Sequence, residues 1–394
     1  MASPTTRHKA KRPSLENAFE GLEVTPNLSN PETSPTIHLG KSLRKMMKST
    51  LRLGHGTVSR SVRGIETKFT ITQDEVYDYK IAHEDFDPDL VFPEMVKLGN
   101  QLQDILQARL DPEQEAAFEN HILECLVRMV YGSNMIEHAG AGLDITWKLC
   151  MKIFQGEQVP EDIGEQDEEY RRIKEERMRD KLSTSGAAVL RSHREIVQHA
   201  KAATYIITEL CLYDRDLSEE IILETHRILT YEVDAESAPW SQYSGVYRSV
   251  DVSAGLHTFT YPFRVPSKMQ QMIHELQSDL QQAAKSGVLD PIVLAAKYTH
   301  IFVNIHPFLD GNGRMCRLIL NSMLLKFGSF IVCLGQYGPD RNAYNEIASA
   351  ASQLEDTYDG REEEEKPVMH RELASLILSH AKNSLEKLIK AIMK

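Results

Sequence analysis

Apolar residues recur at helical spacing along most of this 394-residue chain. Ile122, Leu126 and Met129 lie three or four residues apart, which places them on one face of a helix predicted near residues 118–137. Other segments show the same spacing, and we predict further helices at 143–154, 196–212, 218–231, 267–286, 290–305 and 313–327.

The stretch from Tyr243 to Pro266 has a different pattern. Its apolar residues alternate loosely with polar ones, and Gly255 lies between the two runs, which predicts a β-hairpin. Strands are therefore a minor element, and the predicted fold class is mainly α with one small hairpin.

The beginning of the chain lacks a helical pattern. Residues 1–66 are rich in Ser, Thr, Pro and Lys and poor in aromatic residues, which predicts a disordered basic tail. Seven basic residues and no acidic one lie between Lys41 and Arg63. A solvated tail is favoured there over a surface for an anionic membrane, a nucleic acid or a nuclear import factor.

Two further segments carry patterns of their own. Residues 157–181 begin with a run of acids and end with a run of bases, and a solvated helix or an inserted loop is favoured there over a docking surface. From Pro367 an apolar stripe predicts a C-terminal helix that packs back on the protein in preference to a free coiled coil. The stripe consists of Ala374, Leu378, Ala381, Leu385, Leu388 and Ile392.

Composition narrows the function classes. The net charge of −12 argues against non-specific nucleic-acid binding by the whole chain. No stretch approaches the roughly 20 apolar residues that span a bilayer, and the N-terminus lacks the apolar part of a secretory signal. We therefore expect no integral membrane association and a cytoplasmic or nuclear location. The five cysteines include no CxxC pair, which suggests neither a zinc site nor a disulfide framework.

One short segment, His306–Arg317, combines residues that suit phosphate chemistry. It lies between two predicted helices, and Pro307 ends the first of them. Gly311 and Gly313 allow positive φ angles and a close approach of a ligand. Together with Asn312 they place backbone amides at the start of the next helix, where unpaired N–H groups and the helix dipole favour an anion.

The side chains of this segment also suit phosphate chemistry. Arg314 and Arg317 are three residues apart on one helix face, and two guanidinium groups beside an amide nest suit a polyphosphate. Asp310 would repel that ligand unless it holds a divalent cation that bridges phosphates. His306 can accept a proton near neutral pH. The combination predicts phosphoryl or nucleotidyl transfer.

The letters HPFLDGNGRMCR also match the signature of the Fic family, HPFx[DE]GNGRxxR, at every specified position. The resemblance implies a compact helical domain that transfers AMP from ATP to Ser, Thr or Tyr of a target protein. By this resemblance His306 is the general base, Phe308 the buried anchor of the loop and Asp310 the Mg²⁺ ligand.

The remaining motif residues are assigned by the same resemblance. Gly311, Asn312 and Gly313 resemble the nest around the α- and β-phosphates. Arg314 resembles the residue that braces those phosphates, and Arg317 the one that reaches the γ-phosphate.

Other segments resemble the family too. Gly245-Val246-Tyr247-Arg248 is similar to its GxYR segment, and the hairpin that follows resembles the flap that holds the target as an added strand. The flap residues expected to bind the target are Thr258, Phe259, Thr260 and Tyr261. Arg341 and Tyr344 resemble a pair that lies near the nucleotide base.

A further segment, Ser133 to Glu137, resembles the family's inhibitory motif [ST]xxxE[GN]. The resemblance implies that Glu137 pairs with Arg317, which removes a ligand of the γ-phosphate and presents a carboxylate in its place. His138 stands where Gly or Asn is expected. A helix end at that position needs φ > 0, which His tolerates better than most residues.

The predicted organisation has four parts: a basic tail (1–66), a helical region with the inhibitory helix and acidic insert (67–215), a Fic catalytic domain (216–353) and an acidic linker with a helix (354–394). The expected substrates are ATP with Mg²⁺ and a protein hydroxyl, and a homo-oligomer is compatible with the sequence.

Alternative functions stay open. The resemblance also covers enzymes that remove AMP from proteins, with the inhibitory Glu positioning water. Other nucleotidyl or phosphocholine donors use the same motif. A kinase-like branch carries Lys in place of the second Gly, so Gly313 argues against it. A non-catalytic adaptor would not need His306, Asp310 and both arginines.

Overall fold

A computed structural model describes residues 37–51, 56–254, 257–358 and 366–394, all within one compact unit, Thr33–Lys394. The described part is mainly helical, which confirms the predicted fold class. Its α-helices are α1 (Leu39–Thr50), α2 (Pro88–Gln107), α3 (Pro112–Ile136), α4 (Leu143–Phe154), α5 (Glu168–Arg179), α6 (Gly186–Ile207), α7 (Glu219–Thr230), α8 (Val265–Ser286), α9 (Pro291–Ile305), α10 (Asn312–Gly328), α11 (Gly338–Thr357) and α12 (Arg371–Ile392). None of the described helices is both long and apolar enough to cross a bilayer.

The strands are short. They are β1 (Thr57–Val62), β2 (Ile65–Ile71), β3 (Lys80–Ile81), β4 (Glu84–Asp85), β5 (Ser253–Ala254), β6 (His257–Thr258) and β7 (Val288–Leu289). β1 and β2 form an antiparallel hairpin, and β7 joins β2 in parallel. β5 and β6 pair antiparallel, with Ser253 opposite Thr258, at the place where the sequence predicts the hairpin.

The helix α10 runs through the centre of the molecule. Almost every residue from Asn312 to Phe327 is buried. It packs antiparallel to its neighbour α9 across the loop 306–311, and it also contacts α3, α6 and α7. Its N-terminus is therefore surrounded by protein, and a ligand bound there would be largely shielded from water.

The prediction of a disordered tail is wrong for residues 39–50 and 57–66. Leu39, Leu43 and Met47 are fully buried on one face of α1, which packs against α3. The many basic residues on the other face conceal this pattern in the sequence. Residues 1–36 and 52–55 lie outside the described part.

Strand β1 was missed because its inward face carries a charge. Val58, Arg60 and Val62 all point to the core, and Arg60 is only 2% exposed. Its guanidinium donates hydrogen bonds to the carbonyl oxygens of Lys326 and, at 3.4 Å, of Cys211. An arginine in an inward position hides the alternation that identifies a strand.

The C-terminal helix α12 packs back on the protein, as the apolar stripe predicts. All six stripe residues of α12 are buried, and α12 packs against α2, α3 and α9. The charged helix α5 lies largely on the surface and contacts α4 and α6, as expected for a solvated helix.

Candidate active site

The loop between α9 and α10 begins at a strained residue. His306 ends α9 with φ 50° and ψ 60°, a left-handed conformation that is costly for a residue with a side chain. Its backbone N–H still donates to the carbonyl of Phe302 at 3.1 Å. This left-handed conformation ends α9 and begins the loop that leads to α10.

The His306 ring is oriented by two contacts. Nδ1 lies 3.1 Å from the carbonyl oxygen of Val303. Since a carbonyl only accepts, Nδ1 carries the ring proton and Nε2 is the acceptor nitrogen. The ring also stacks on Phe259 at a centroid distance of 3.8 Å and an interplanar angle of 15°.

Arg248 fastens the loop to the hairpin. Its Nε donates to the carbonyl oxygen of His306 at 2.6 Å, and its Nη1 donates to that of Val250 at 2.9 Å. Nη2 donates to the carbonyl of Thr260. The backbone N–H of Arg248 also donates to the carbonyl of Pro307 at 3.0 Å. One buried side chain thus fixes both sides of the site.

Phe308 and Asn312 hold the middle of the loop. The Asn312 side chain accepts from the backbone N–H of Phe308 at 2.9 Å and donates to its carbonyl at 2.8 Å. The Phe308 ring is fully buried and stacks on His226 at a centroid distance of 3.6 Å.

His226, on α7, was not predicted from the sequence. Its Nδ1 accepts from the backbone N–H of Gly245 at 3.0 Å, so its Nε2 carries the proton and donates to the carbonyl of Asp310 at 2.9 Å. Complete burial lowers the pKa of His226 to about 4, so the ring stays neutral. A lone histidine on an apolar helix face has no sequence signature for this role.

Asp310 lies beside the start of α10. Its Oδ1 accepts from the Gly311 backbone N–H at 2.6 Å and lies 3.5 Å from Nη2 of Arg314. Burial alone would raise the pKa of Asp310, but the charge of Arg314 and the Gly311 hydrogen bond outweigh it and lower the pKa. The carboxylate is therefore ionised at neutral pH.

Arg314 is a buried guanidinium with spare donors. The residue is 2% exposed, and neither its Nε nor its Nη1 has a hydrogen-bond partner among the described residues. A buried unpaired donor is costly, and an ordered water, an ion or a ligand can satisfy it. The unpaired atoms lie next to the α10 N-terminus, where an anion would be stabilised.

Arg317 is occupied by the end of α3. Its Nη2 donates to Oε1 of Glu137 at 2.6 Å and to the Ser133 carbonyl at 3.0 Å, and its Nε donates to the Ser133 hydroxyl at 2.8 Å. Burial would lower the pKa of Arg317, but the charge of Glu137 raises it. The Glu137 carboxylate also reaches Gly313, where an added Cβ would lie 2.0 Å from Oε1.

The end of α3 has the geometry expected for His138. This residue adopts φ 52°, and the carbonyl of Asn134 accepts from the N–H groups of Glu137 and Ala139 at 3.0 and 2.9 Å. The Asn134 side chain is in turn bonded to His199, with 2.7 Å between Oδ1 and Nδ1. The requirement for φ > 0 is confirmed, and His138 meets it.

The other predicted residues are the Arg341/Tyr344 pair on α11 and the residues of the hairpin. Tyr344 is buried, and the Arg317 guanidinium lies 5.6 Å from its ring centre. Arg341 is one turn away and donates to the Gly335 carbonyl at 3.4 Å. In the hairpin, Phe259 and Thr260 meet the loop, whereas Tyr261 is 57% exposed and stacks on Phe263 instead. The backbone of Thr258 pairs with Ser253.

A metal site made only of protein ligands is absent from the described residues, where no cluster of three or more His, Cys, Asp or Glu is suitably placed. A single ionised carboxylate, Asp310, nevertheless lies beside the unpaired donors of Arg314.

Comparison with known proteins gives matches for the same region. Residues 216–324 match the family model described as the Fic/DOC family. The chain is 33% identical over 136 residues to Protein adenylyltransferase Fic of Drosophila grimshawi, covering 34% of this chain and 26% of that relative. It is 39% identical over 84 residues to a Fido domain-containing protein of Dictyostelium discoideum, covering 21% of this chain and 56% of the relative. The chain thus spans only part of either relative.

Solved structures share the fold. A Fic domain-containing signaling protein from Bacteroides thetaiotaomicron superposes with a TM-score of 0.53 at 21% identity, covering 77% of this chain and 96% of that one. A fragment of Fic-1 from C. elegans gives a TM-score of 0.52 at 20% identity, covering 77% and 74%. The similarity extends well beyond residues 216–324.

Proposed function

The chain carries a domain of the Fic/DOC family, matched over residues 216–324, and on that premise we propose that it transfers AMP from ATP to a Ser, Thr or Tyr hydroxyl of a target protein. Relatives named Protein adenylyltransferase Fic support the reaction class. The observation that carries the proposal is the buried Arg314 in the first turn of α10, which lies 3.5 Å from Asp310 and keeps two donors unpaired among the described residues.

The phosphates of ATP bind, in this proposal, to the backbone N–H groups of Asn312 and Gly313 and to Arg314, while the Gly311 N–H holds the Asp310 carboxylate. The nest and the two free donors of Arg314 match the several oxygens of a polyphosphate. Asp310 fits a Mg²⁺ ligand, because Mg²⁺ commonly takes one or two carboxylates and completes its shell with phosphates and water. When bound, Mg²⁺ neutralises phosphate charge during the transfer.

His306 acts as the general base. The target hydroxyl oxygen attacks the α-phosphorus, its proton passes to Nε2, and the bond between the α-phosphorus and the bridging oxygen breaks. Pyrophosphate leaves and AMP stays on the target. The Val303 carbonyl keeps the proton on Nδ1, so Nε2 is the nitrogen prepared to accept. Phe259 limits rotation of the ring.

The hairpin β5/β6 presents the target. An extended segment of the target adds to it by main-chain hydrogen bonds, which brings a hydroxyl to His306 without requiring a particular sequence. Arg248 supports this role, because it ties the carbonyl of Thr260 to that of His306 and so fixes the hairpin relative to the base.

Glu137 restrains the reaction in the same proposal. Its carboxylate takes a donor of Arg317 and lies over Gly313, where the γ-phosphate would approach. Like charges at this distance repel, and Arg317 cannot serve both partners. The enzyme is thus restrained until Glu137 moves away.

The direct test compares two labels. Incubation with Mg²⁺ and ATP labelled at the α-phosphorus should label the protein itself or an added target, whereas label at the γ-phosphorus should not be retained. His306→Ala should lower incorporation by a factor of about 10² to 10⁴. The matched control is His274→Ala, an exposed histidine on α8, which should behave as wild type. Retained γ-label would instead identify a kinase.

A second candidate is the reverse reaction, removal of AMP from a modified protein. The Glu137 carboxylate beside the α10 N-terminus favours it, because it could orient a water for attack on the α-phosphorus. Release of AMP from a pre-modified target, lost in Glu137→Gln, would support this activity. A chain that neither adds nor removes AMP would be a non-catalytic scaffold.

A further inference from the structure

Two cysteines that are far apart in the sequence meet where α3 packs against the segment after α10. Cys125 lies on α3, and Cys333 lies between α10 and α11. The Cys333 Sγ donates to the Cys125 carbonyl at 3.3 Å, which brings the two residues into direct contact. Both are free cysteines.

Their surroundings favour thiolate chemistry. The Cys333 thiol and the neighbouring ring of His121 lower the pKa of Cys125 against the effect of burial, while the pKa of Cys333 is raised. Burial instead raises the pKa of Cys211 and Cys316 to about 12, which makes them poor nucleophiles. Cys333 is partly exposed, whereas the other four cysteines are buried, so Cys333 is the more accessible residue of the pair.

We propose that Cys125 and Cys333 form a reversible disulfide when the protein meets a peroxide. One sulfur takes an oxygen from hydrogen peroxide to give a sulfenic acid and one water. The other sulfur then displaces that oxygen as a second water. Two thiols lose two hydrogens and two electrons, and the peroxide is reduced to two waters. Reversible disulfides of this kind in reducing compartments are usually redox sensors.

A disulfide between Cys125 and Cys333 would link α3, which ends next to Glu137, to the segment that follows α10. Twelve residues after Cys125 comes Glu137, and between them α3 packs tightly on the same segment as Cys333. An added Cβ at Gly132 would lie 2.1 Å from the Leu334 carbonyl oxygen, and one at Gly335 would lie 2.6 Å from that of Gly132. A covalent bond there would hold α3 in place.

This regulatory consequence rests on the proposed function. With α3 fixed against residues 333–335, movement of Glu137 away from Arg317 becomes harder, because both ends of the contact belong to one cross-linked unit. The oxidised protein should therefore transfer less AMP than the reduced protein, and a thiol reductant should restore the rate.

Peptide mapping tests the disulfide independently of any activity. After treatment of the full chain with hydrogen peroxide, mass spectrometry should detect a peptide linked through Cys125 and Cys333 that dithiothreitol removes. Cys125→Ser and Cys333→Ser should each abolish it, so a folding defect in one leaves the other informative. Cys211→Ser, a buried cysteine outside the pair, should keep it. Absence of the linked peptide in oxidised wild type would overturn the proposal.

A rate comparison tests the consequence. Oxidation should lower AMP incorporation by wild type roughly tenfold, and by Glu137→Gln about twofold or less, because the variant lacks the repelling charge that the disulfide would hold in place. An equal loss in both proteins would show that the bond acts on the nucleotide site directly and would overturn the link to Glu137. If no reduced protein incorporates AMP, the proposed function fails, while peptide mapping still decides the disulfide.

Discussion

Two arginines one helical turn apart differ in their partners. Arg317 donates to Ser133 and Glu137 through Nε and Nη2, whereas Arg314 keeps two buried donors unpaired among the described residues. In the proposed nucleotide site, Arg314 is therefore available to phosphate, while Arg317 is engaged by Ser133 and Glu137. Within the proposed mechanism, Glu137 therefore competes with the γ-phosphate for Arg317 and does not block the binding of the other phosphates to Arg314.

Glu137→Gln tests this competition with little change in shape. Glutamine keeps the volume and a hydrogen bond to Arg317 but removes the charge that repels phosphate. We expect AMP incorporation to rise about tenfold, the size of a typical coupling between two ligands of one site. Glu124→Gln is the matched control, since this residue is also on α3, also pairs with an arginine and has the same 36% side-chain exposure. A similar rise in both variants would exclude a specific restraint.

The sequence identified the residues of the motif, but not all the residues that hold the motif loop in place. Asp310 and Arg314 lie 3.5 Å apart at the start of α10, and His306 ends the preceding helix, α9. His226 was invisible because its role depends on contacts with residues 84 positions away in the sequence, which periodicity does not encode. Arg248 was found only through family resemblance, and its contact with the His306 carbonyl could not be inferred from spacing.

At the scale of elements, the hairpin and the catalytic loop act as one piece. Arg248 is the link, and a lysine there keeps the charge but offers one ammonium in place of a planar fork of donors. We expect Arg248→Lys to lower kcat by about 10- to 100-fold through loss of positioning, with ATP affinity changed by about twofold at most.

The control for that variant lies in the same segment. Arg264 is exposed and contacts the ring of Phe263, 5.7 Å away, so Arg264→Ala should leave kcat for self-modification within about twofold of wild type. Initial rates with labelled ATP and a nucleotide-binding titration separate the two effects. A fall in ATP affinity equal to the fall in kcat would place Arg248 in nucleotide binding and not in positioning.

Among the elements, α1 and β1 show where sequence reasoning failed. Long helices such as α9 and α10 have apolar patterns strong enough to be predicted within a few residues. In α1 four basic residues interrupt the apolar ones, and in β1 the inward position 60 is an arginine that is stabilised by carbonyl groups of distant elements. Tertiary contacts of this kind override local composition.

At the scale of the whole molecule, burial keeps several histidines neutral. His199 and His226 are fully buried, and burial lowers the pKa of both; the charges of Arg314 and Arg317 add to the effect at His199. Both residues surround the proposed phosphate site, one beside Asn134 and one beside Asp310. The same enclosure that would shield a ligand from water therefore makes the fold sensitive to acid.

The sign of this effect follows from proton binding. Between the ordinary histidine pKa near 6.5 and the value of about 4 for His226, the unfolded chain binds a proton that the folded chain does not. Stability is therefore lost as the pH falls through that window, by about 2 kcal/mol for one histidine between pH 7 and 5. Asp290 opposes this, because burial raises its pKa to about 6 and the folded chain takes up a proton first.

With more buried histidines than opposing carboxyl groups in this set, we expect the free energy of unfolding to be lower at pH 5 than at pH 7. Urea unfolding at both values measures it. In His199→Asn the amide can still donate to Asn134 but cannot titrate, so the loss on acidification should be smaller than in wild type. The exposed His274→Asn should lose as much as wild type. An equal loss in His199→Asn would mean that His199 takes up its proton over the same pH range in the folded and unfolded chains, which contradicts the lowering of its pKa by burial.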